Sequence, residues 1–138
     1  MTFVVDASLA LSWLFVDEQT PQSMSLLDKV AVSGAVVPAL WRLEVANALQ
    51  TSIKRQRISP AQRDASIQKL NVLPIEVDSE TDARAWTTTL HLADLHRITV
   101  YDACYLELSL RCGLPLATRD DRLAAAAGNA GAILLSTR

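Results

Sequence analysis

Four carboxylates stand at positions where a carboxylate is either costly or informative. Asp6 closes the apolar run Thr2–Val5, and Asp120 follows two residues after the run Pro115–Thr118. Glu44 is embedded in the apolar stretch A-L-W-R-L-E-V-A-N-A-L, and Asp102 lies near the start of V-Y-D-A-C-Y-L-E-L. An isolated buried carboxylate is costly and finds a partner or a metal. Four acids gathered on one rim would repel one another, and a divalent cation is the simplest group that relieves this. Hard oxygen ligands suit Mg²⁺, with Mn²⁺ able to substitute. Ser8, Asn47 and Thr118 lie two or three residues from these acids, at spacings that let them orient a carboxylate by hydrogen bonding. Each residue alone has a plainer reading. Asp6, Asp102 and Asp120 suit helix starts, Glu44 suits an exposed helix face, and Ser8, Asn47 and Thr118 suit routine caps and turns. Four such acids are harder to explain as separate accidents. Asp121 competes with Asp120, which is preferred because it is nearer the strand end and lies three residues before Leu123.

No side chain is placed as an obvious nucleophile with its base. The two histidines, His91 and His96, share one segment. Cys104 and Cys112 are eight apart in an apolar stretch and form neither a disulfide framework nor a zinc pattern. They read as small hydrophobes in a reducing compartment. Water is left as the nucleophile, and a metal held by Asp6, Asp102 and Asp120 would activate it. Glu44 would bind a second metal or position that water. One metal and two metals both remain open.

The elements that must position these groups alternate along the chain. Short apolar runs at Thr2–Val5, Ala35–Pro38, Leu73–Val77, Pro115–Thr118 and Ala132–Leu135 read as strands. Between them, amphipathic spacing predicts helices over Ala7–Phe15, Pro21–Ala31, Ala39–Gln56, Pro60–Leu70, Ser79–Leu95, Val100–Cys112 and Asp120–Ala127. In the helix from Ser79, Trp86, Leu90 and Ala93 form the expected apolar stripe. This order predicts an α/β, Rossmann-like, three-layer fold. Its central, mostly parallel sheet has about five short strands with helices on both faces. Asp6 and Asp120 then emerge at the carboxyl ends of strands, where open α/β sheets bind ligands.

The 138 residues suit one domain over 1–138, and a composition of 50% hydrophobic and 20% charged residues excludes a wholly disordered chain. No run is long enough for a membrane span. The start, Met1–Val16, holds Asp6 and lacks a basic region, so it does not read as a signal peptide. The expected location is the cytoplasm. Net charge is −2, too balanced to mark a nucleic-acid binder by bulk charge. Lys54, Arg55, Arg57, Arg63 and Lys69 nevertheless cluster, and they read equally well as a track for an RNA backbone or as a solvated face.

Four segments together carry a family resemblance: F-V-V-D-A-S, L-E-V-A-N-A-L, T-V-Y-D-A-C-Y-L-E-L and P-L-A-T-R-D-D-R-L. In order and spacing the chain resembles PIN-domain ribonucleases, in particular the VapC-type toxins of bacterial toxin–antitoxin pairs. The resemblance implies that Asp6, Glu44, Asp102 and Asp120 form an acidic metal site. It also implies a PIN-like fold, Mg²⁺- or Mn²⁺-dependent cleavage of RNA, a homodimer, and neutralisation by a small antitoxin. Trp13, Leu14, Phe15 and Trp41 are more large apolar groups than two helices need for one core, so an exposed partner surface is expected among them. A housekeeping RNA-processing nuclease is one alternative. A Mg²⁺-binding receiver-like signalling domain is another, although the only lysines, Lys29, Lys54 and Lys69, all precede the strand that domain would need one after.

Overall fold

A computed structural model of the protein describes residues 2–138; Met1 of the expected domain lies outside them. The strands are β1 (Val4–Val5), β2 (Ala35–Val37), β3 (Ile75–Val77) and β4 (Leu116–Ala117). The helices are α1 (Ala7–Ser12), α2 (Pro21–Ser33), α3 (Trp41–Lys54), α4 (Pro60–Asn71), α5 (Thr81–Arg84), α6 (Leu90–His96), α7 (Val100–Cys112) and α8 (Asp121–Asn129). The strands pair in the order β3-β2-β1-β4, all parallel, with Val4 opposite both Val36 and Leu116. Val4 and Val5 point to opposite faces of the sheet, and both are fully buried, so helices cover each face.

Strand order decides where a ligand can sit. The chain moves outward from β1 to β2 to β3, then returns to place β4 on the other side of β1. The crevice at this reversal opens at the carboxyl ends of β1 and β4. Local sequence starts the helices that flank it. Thr20 with Ser23 and Ser59 with Gln62 form capping boxes, each followed by proline at the first helical position. Gly34 ends α2 at φ +78°, and a Cβ there would stand 2.7 Å from the Pro74 carbonyl oxygen. That close approach lets β2 enter the sheet beside β3.

Three expectations need correction. The fifth strand, Ala132–Leu135, is reduced to one parallel bridge between Leu134 and Leu116. β4 offers only two residues to pair with, and beyond it the chain is held by side chains instead, the Thr137 hydroxyl donating to the Thr118 carbonyl at 3.1 Å. The helix expected over Ser79–Leu95 is broken by a π-helical turn over Ala85–Thr89. The wider turn shifts the helical register, so Thr89, Leu92 and Ala93 face the core while Trp86 is 90% exposed and Leu90 is also exposed. Finally, Trp13 and Trp41 are core residues, and Leu14 and Phe15 are packed against that core. Trp13 satisfies its indole N–H on the Ser23 carbonyl at 2.9 Å. Among the described residues no helix is long and apolar enough to cross a membrane.

One ion cluster fixes α7 against the end of β3. Arg111 donates to Asp78 Oδ2 at 2.6 Å and to Glu107 Oε1 at 2.7 Å, and the Glu107 side chain is only 3% exposed. Removing one member of a buried pair strands the other charge. Arg111→Met should therefore destabilise the protein by about 3–5 kcal/mol in chemical denaturation. A loss below about 1 kcal/mol would show that the cluster behaves as a surface pair.

Candidate active site

Asp6 sits at the join of β1 and α1, and it serves both. Its Oδ1 accepts from the Leu9 backbone N–H at 2.9 Å, which caps α1. The Ser8 hydroxyl donates to its two oxygens at 2.8 and 2.9 Å, and the Thr118 hydroxyl donates to Oδ2. Thr118 belongs to the end of β4, so this bond closes the crevice between the two strands. Thr118 Oγ1 in turn accepts from the Asp120 N–H at 2.9 Å, and Ser8 Oγ accepts from the Arg119 N–H at 2.9 Å. Asp120 caps α8 by accepting from the Leu123 N–H at 2.9 Å. Asp6 and Asp120 are thus helix caps and rim acids at once.

Glu44 and Asp102 come from helices that start at the same rim. Glu44 lies in the first turn of α3, and Asp102 in the first turn of α7, where Thr99 Oγ1 caps the helix by accepting from the Asp102 N–H. Both side chains are half-buried. The Tyr105 hydroxyl donates to Glu44 Oε1. Tyr105 is a site residue that sequence reasoning missed. Its signal was there: it follows Asp102 by three residues and so shares that side of α7.

Electrostatics tie the four acids into one cluster. Burial pushes Asp6 up from 3.8 to about 6, against three stabilising hydrogen bonds and with help from the Asp120 charge. Glu44 is raised by burial and by Asp102, and Asp102 by burial and by Asp120. Each of these acids therefore feels the charge of another, although they come from four separate segments.

The remaining predicted residues separate cleanly. Ser8 and Thr118 touch Asp6, as described above. Asn47 is exposed on α3, and its side chain makes no hydrogen bond to another described residue. One turn beyond Glu44, it has moved past the reach of the carboxylates. Asp121 points to solvent and pairs with Arg138 at 3.1 Å, its side chain 84% exposed. The basic segment is partly consumed within the molecule. Arg57 pairs with Asp17 at 2.8 Å and Glu18 at 3.1 Å and lies 4.0 Å above the Phe15 ring, while Arg63 bonds Asp64 and Gln50.

Among the described residues, no three His, Cys, Asp or Glu side chains converge tightly enough to enclose an ion as they stand. Asp6 and Asp120 bond their helix-capping N–H groups, and Glu44 bonds Tyr105. The donor set nonetheless suits a hard divalent cation. It is all carboxylate oxygen, and Asp120 Oδ2 and Glu44 Oε2 take no part in the hydrogen bonds within the site.

A parallel sheet flanked by helices, with Asp6 at the end of β1 and Asp120 just beyond β4, defines an α/β protein with acids at its switch point. The PIN domain family profile matches residues 3–129, and the chain belongs to that family. Its sequence is 34% identical over 127 residues to ribonuclease VapC1 of two Mycobacterium tuberculosis strains, CDC 1551 / Oshkosh and H37Rv, covering 91% of this chain and 90% of the relative. Two solved structures share the fold. PAE2754 from Pyrobaculum aerophilum superposes with a TM-score of 0.70 at 23% identity, covering 97% of this chain and 89% of that one. FitAcB from Neisseria gonorrhoeae gives 0.67 at 15% identity, covering 99% and 98%.

The raised acids set the pH dependence of the metal-free protein. Asp6 holds its proton more tightly when folded than when unfolded. Its contribution is complete below its unfolded value of 3.8 and is lost as pH rises through about 6. Asp6→Asn keeps the shape without the charge. It should stabilise the metal-free protein by about 2–3 kcal/mol near pH 7, and this gain should vanish below pH 4. Thermal melts of both proteins across that range check it; a difference independent of pH would contradict the burial argument.

Proposed function

We propose that the chain is a divalent-metal-dependent endoribonuclease that hydrolyses RNA phosphodiester bonds with water and serves as the toxin of a toxin–antitoxin pair. One observation carries the reading. In a chain of the PIN domain family, Asp6 and Asp120 stand at the ends of β1 and β4, and Asp6, Glu44 and Asp102 are each raised by burial and by a neighbouring acid's charge. The 34% identity to a protein named a ribonuclease supports the substrate class.

Asp6, Asp102 and Asp120 would hold Mg²⁺, or Mn²⁺ in its place, with Glu44 beside them. When bound, such a cation lowers the pKa of water and offsets charge on the scissile phosphate. The protein's own groups do the rest. Ser8 and Thr118 fix Asp6 in a single orientation. Asp120 is fixed through its cap on α8. Glu44 Oε2 accepts a hydrogen bond from the attacking water and so sets its direction. Lys54 and Arg55, exposed at the end of α3, offer charge to the RNA backbone. Asp121 is reserved for its pair with Arg138 and takes no part.

An enzyme of this kind in the cytoplasm, where its RNA is, needs restraint in trans. The rim would accept an Arg or Lys from a small antitoxin, since its charge substitutes for that of the cation and Arg bonds carboxylates in bidentate geometry. The same antitoxin has an apolar seat available between α3 and α4, lined by Trp41, Val45, Ile67 and Leu70. Of the four residues expected to offer a partner surface, Trp41 lines this cleft, while Trp13, Leu14 and Phe15 lie in or against the core. Trp86 and Leu90, one turn apart and exposed, support self-association as a homodimer.

Purified protein should cut RNA with Mg²⁺ or Mn²⁺ and stop with EDTA. Asp120→Asn should lower cleavage at least about 100-fold, and Asp121→Asn should leave it little changed. Cleavage undiminished by EDTA overturns the mechanism, and a larger effect at Asp121 overturns the choice between the pair. Expression of the chain alone should arrest growth, and co-expression with the small protein encoded beside it should restore growth. Light scattering at micromolar concentration should give a dimer mass; a monomer mass contradicts the homodimer.

A further inference from the structure

Tyr105 is among the largest fully buried side chains in the protein, yet its polar end meets the rim. It lies on α7, three residues after Asp102, and donates its hydroxyl proton to Oε1 of Glu44, a residue 61 positions away on α3. No other side chain or backbone group among the described residues bonds the Glu44 carboxylate. An ionised carboxylate can only accept, so the neutral phenol is the donor of this bond.

The geometry points to Tyr105 as a positioning residue that pins Oε1 of Glu44 and thereby presents Oε2 to the cation and water at the rim. This role rests on the proposal that the rim binds a divalent cation. The physical need is specific. Glu44 has three side-chain torsions, is only half-buried, and is repelled by Asp102. A free glutamate in that setting swings toward water, away from the other acids, because both solvation and repulsion favour it there. The phenol O–H opposes that swing. It spends one oxygen of Glu44 on an internal bond and leaves the other for the ligand. Its ring is anchored in the core, so the donor itself cannot follow the carboxylate outward. Asp6 is held in the same manner by Ser8 and Thr118, so the rim acids on β1 and α3 each have neutral hydroxyl donors behind them.

Binding of Mn²⁺ to the full chain, measured by titration calorimetry without RNA, tests this directly. Tyr105→Phe keeps the buried ring and removes only the donor. It should weaken Mn²⁺ binding about tenfold. Glu44→Gln should weaken binding as well, and the double variant should bind no worse than Glu44→Gln alone, because Tyr105 acts only through Glu44. Glu44→Asp, one methylene short of the hydroxyl, should behave like Tyr105→Phe and provides the reading if the Phe variant fails to fold. Unchanged binding in Tyr105→Phe or in Glu44→Asp overturns the role. So do losses that multiply in the double variant, since they would place Tyr105's effect in packing rather than in Glu44. Wild-type protein that takes up no Mn²⁺ overturns the cation site itself, and the positioning role with it.

Discussion

Like charges held close together in a half-dry crevice are the constraint on which the rest of the architecture depends. Asp6, Glu44, Asp102 and Asp120 each carry a carboxylate to one end of the sheet, and three of them are raised by burial and by a neighbour's charge. Among the described residues, no Lys or Arg side chain forms an ion pair with any of these four acids. The closest arginine by sequence, Arg119, turns away and donates to the Glu18 carbonyl at 2.7 Å. The acids are stabilised instead by neutral donors: two hydroxyls and a backbone N–H on Asp6, a backbone N–H on Asp120, and a phenol on Glu44. Neutral donors lower the cost of each charge without cancelling it.

Such an arrangement has to be stabilised elsewhere, because the repulsion would otherwise spread the strand ends and helix starts apart. The first turn of α7 carries Asp102, and its far end is clamped by Arg111 to Asp78 and Glu107. α7 also packs on β1 and β4, the two strands whose ends carry Asp6 and Thr118. β1 contributes only two residues, but both are fully buried; Val4 pairs with Val36 and Leu116, and Val5 with Ala117. The acids are thus mounted on a buried, paired strand and a clamped helix, as a preorganised site requires.

The alternation of apolar runs with amphipathic helices was legible because short parallel strands, buried on both faces, are almost wholly apolar, and β1 and β2 match that pattern. The proline at position 60 also translated directly into a helix start, with Ser59 as its cap. The failures have physical causes that no local window carries. The π-helical turn at Ala85–Thr89 depends on how the helix meets α7, and it carries Trp86 from the expected core face to solvent. The last strand needed a pairing partner longer than the two residues of β4. At the site, Asp6, Asp120 and Ser8 were readable because they sit beside strand ends, and Glu44 and Asp102 because they interrupt apolar helical stretches, whereas the Thr118–Asp6 and Tyr105–Glu44 bonds join positions 112 and 61 residues apart. Asn47 shows the limit of helical spacing: being three residues from Glu44 gives it the same side of α3 without giving it a carboxylate to hold.

The central claim is that these four carboxylates form one cation site. Anomalous diffraction from crystals soaked in Mn²⁺ tests it most directly. The expected result is a Mn²⁺ peak at the carboxyl ends of β1 and β4, bounded by carboxylate oxygens of Asp6, Asp102 and Asp120 with Glu44 alongside, and lost in crystals of Asp6→Asn. A peak only at Asp121 or on another face of the molecule, or no peak at the rim at millimolar Mn²⁺, would contradict the account.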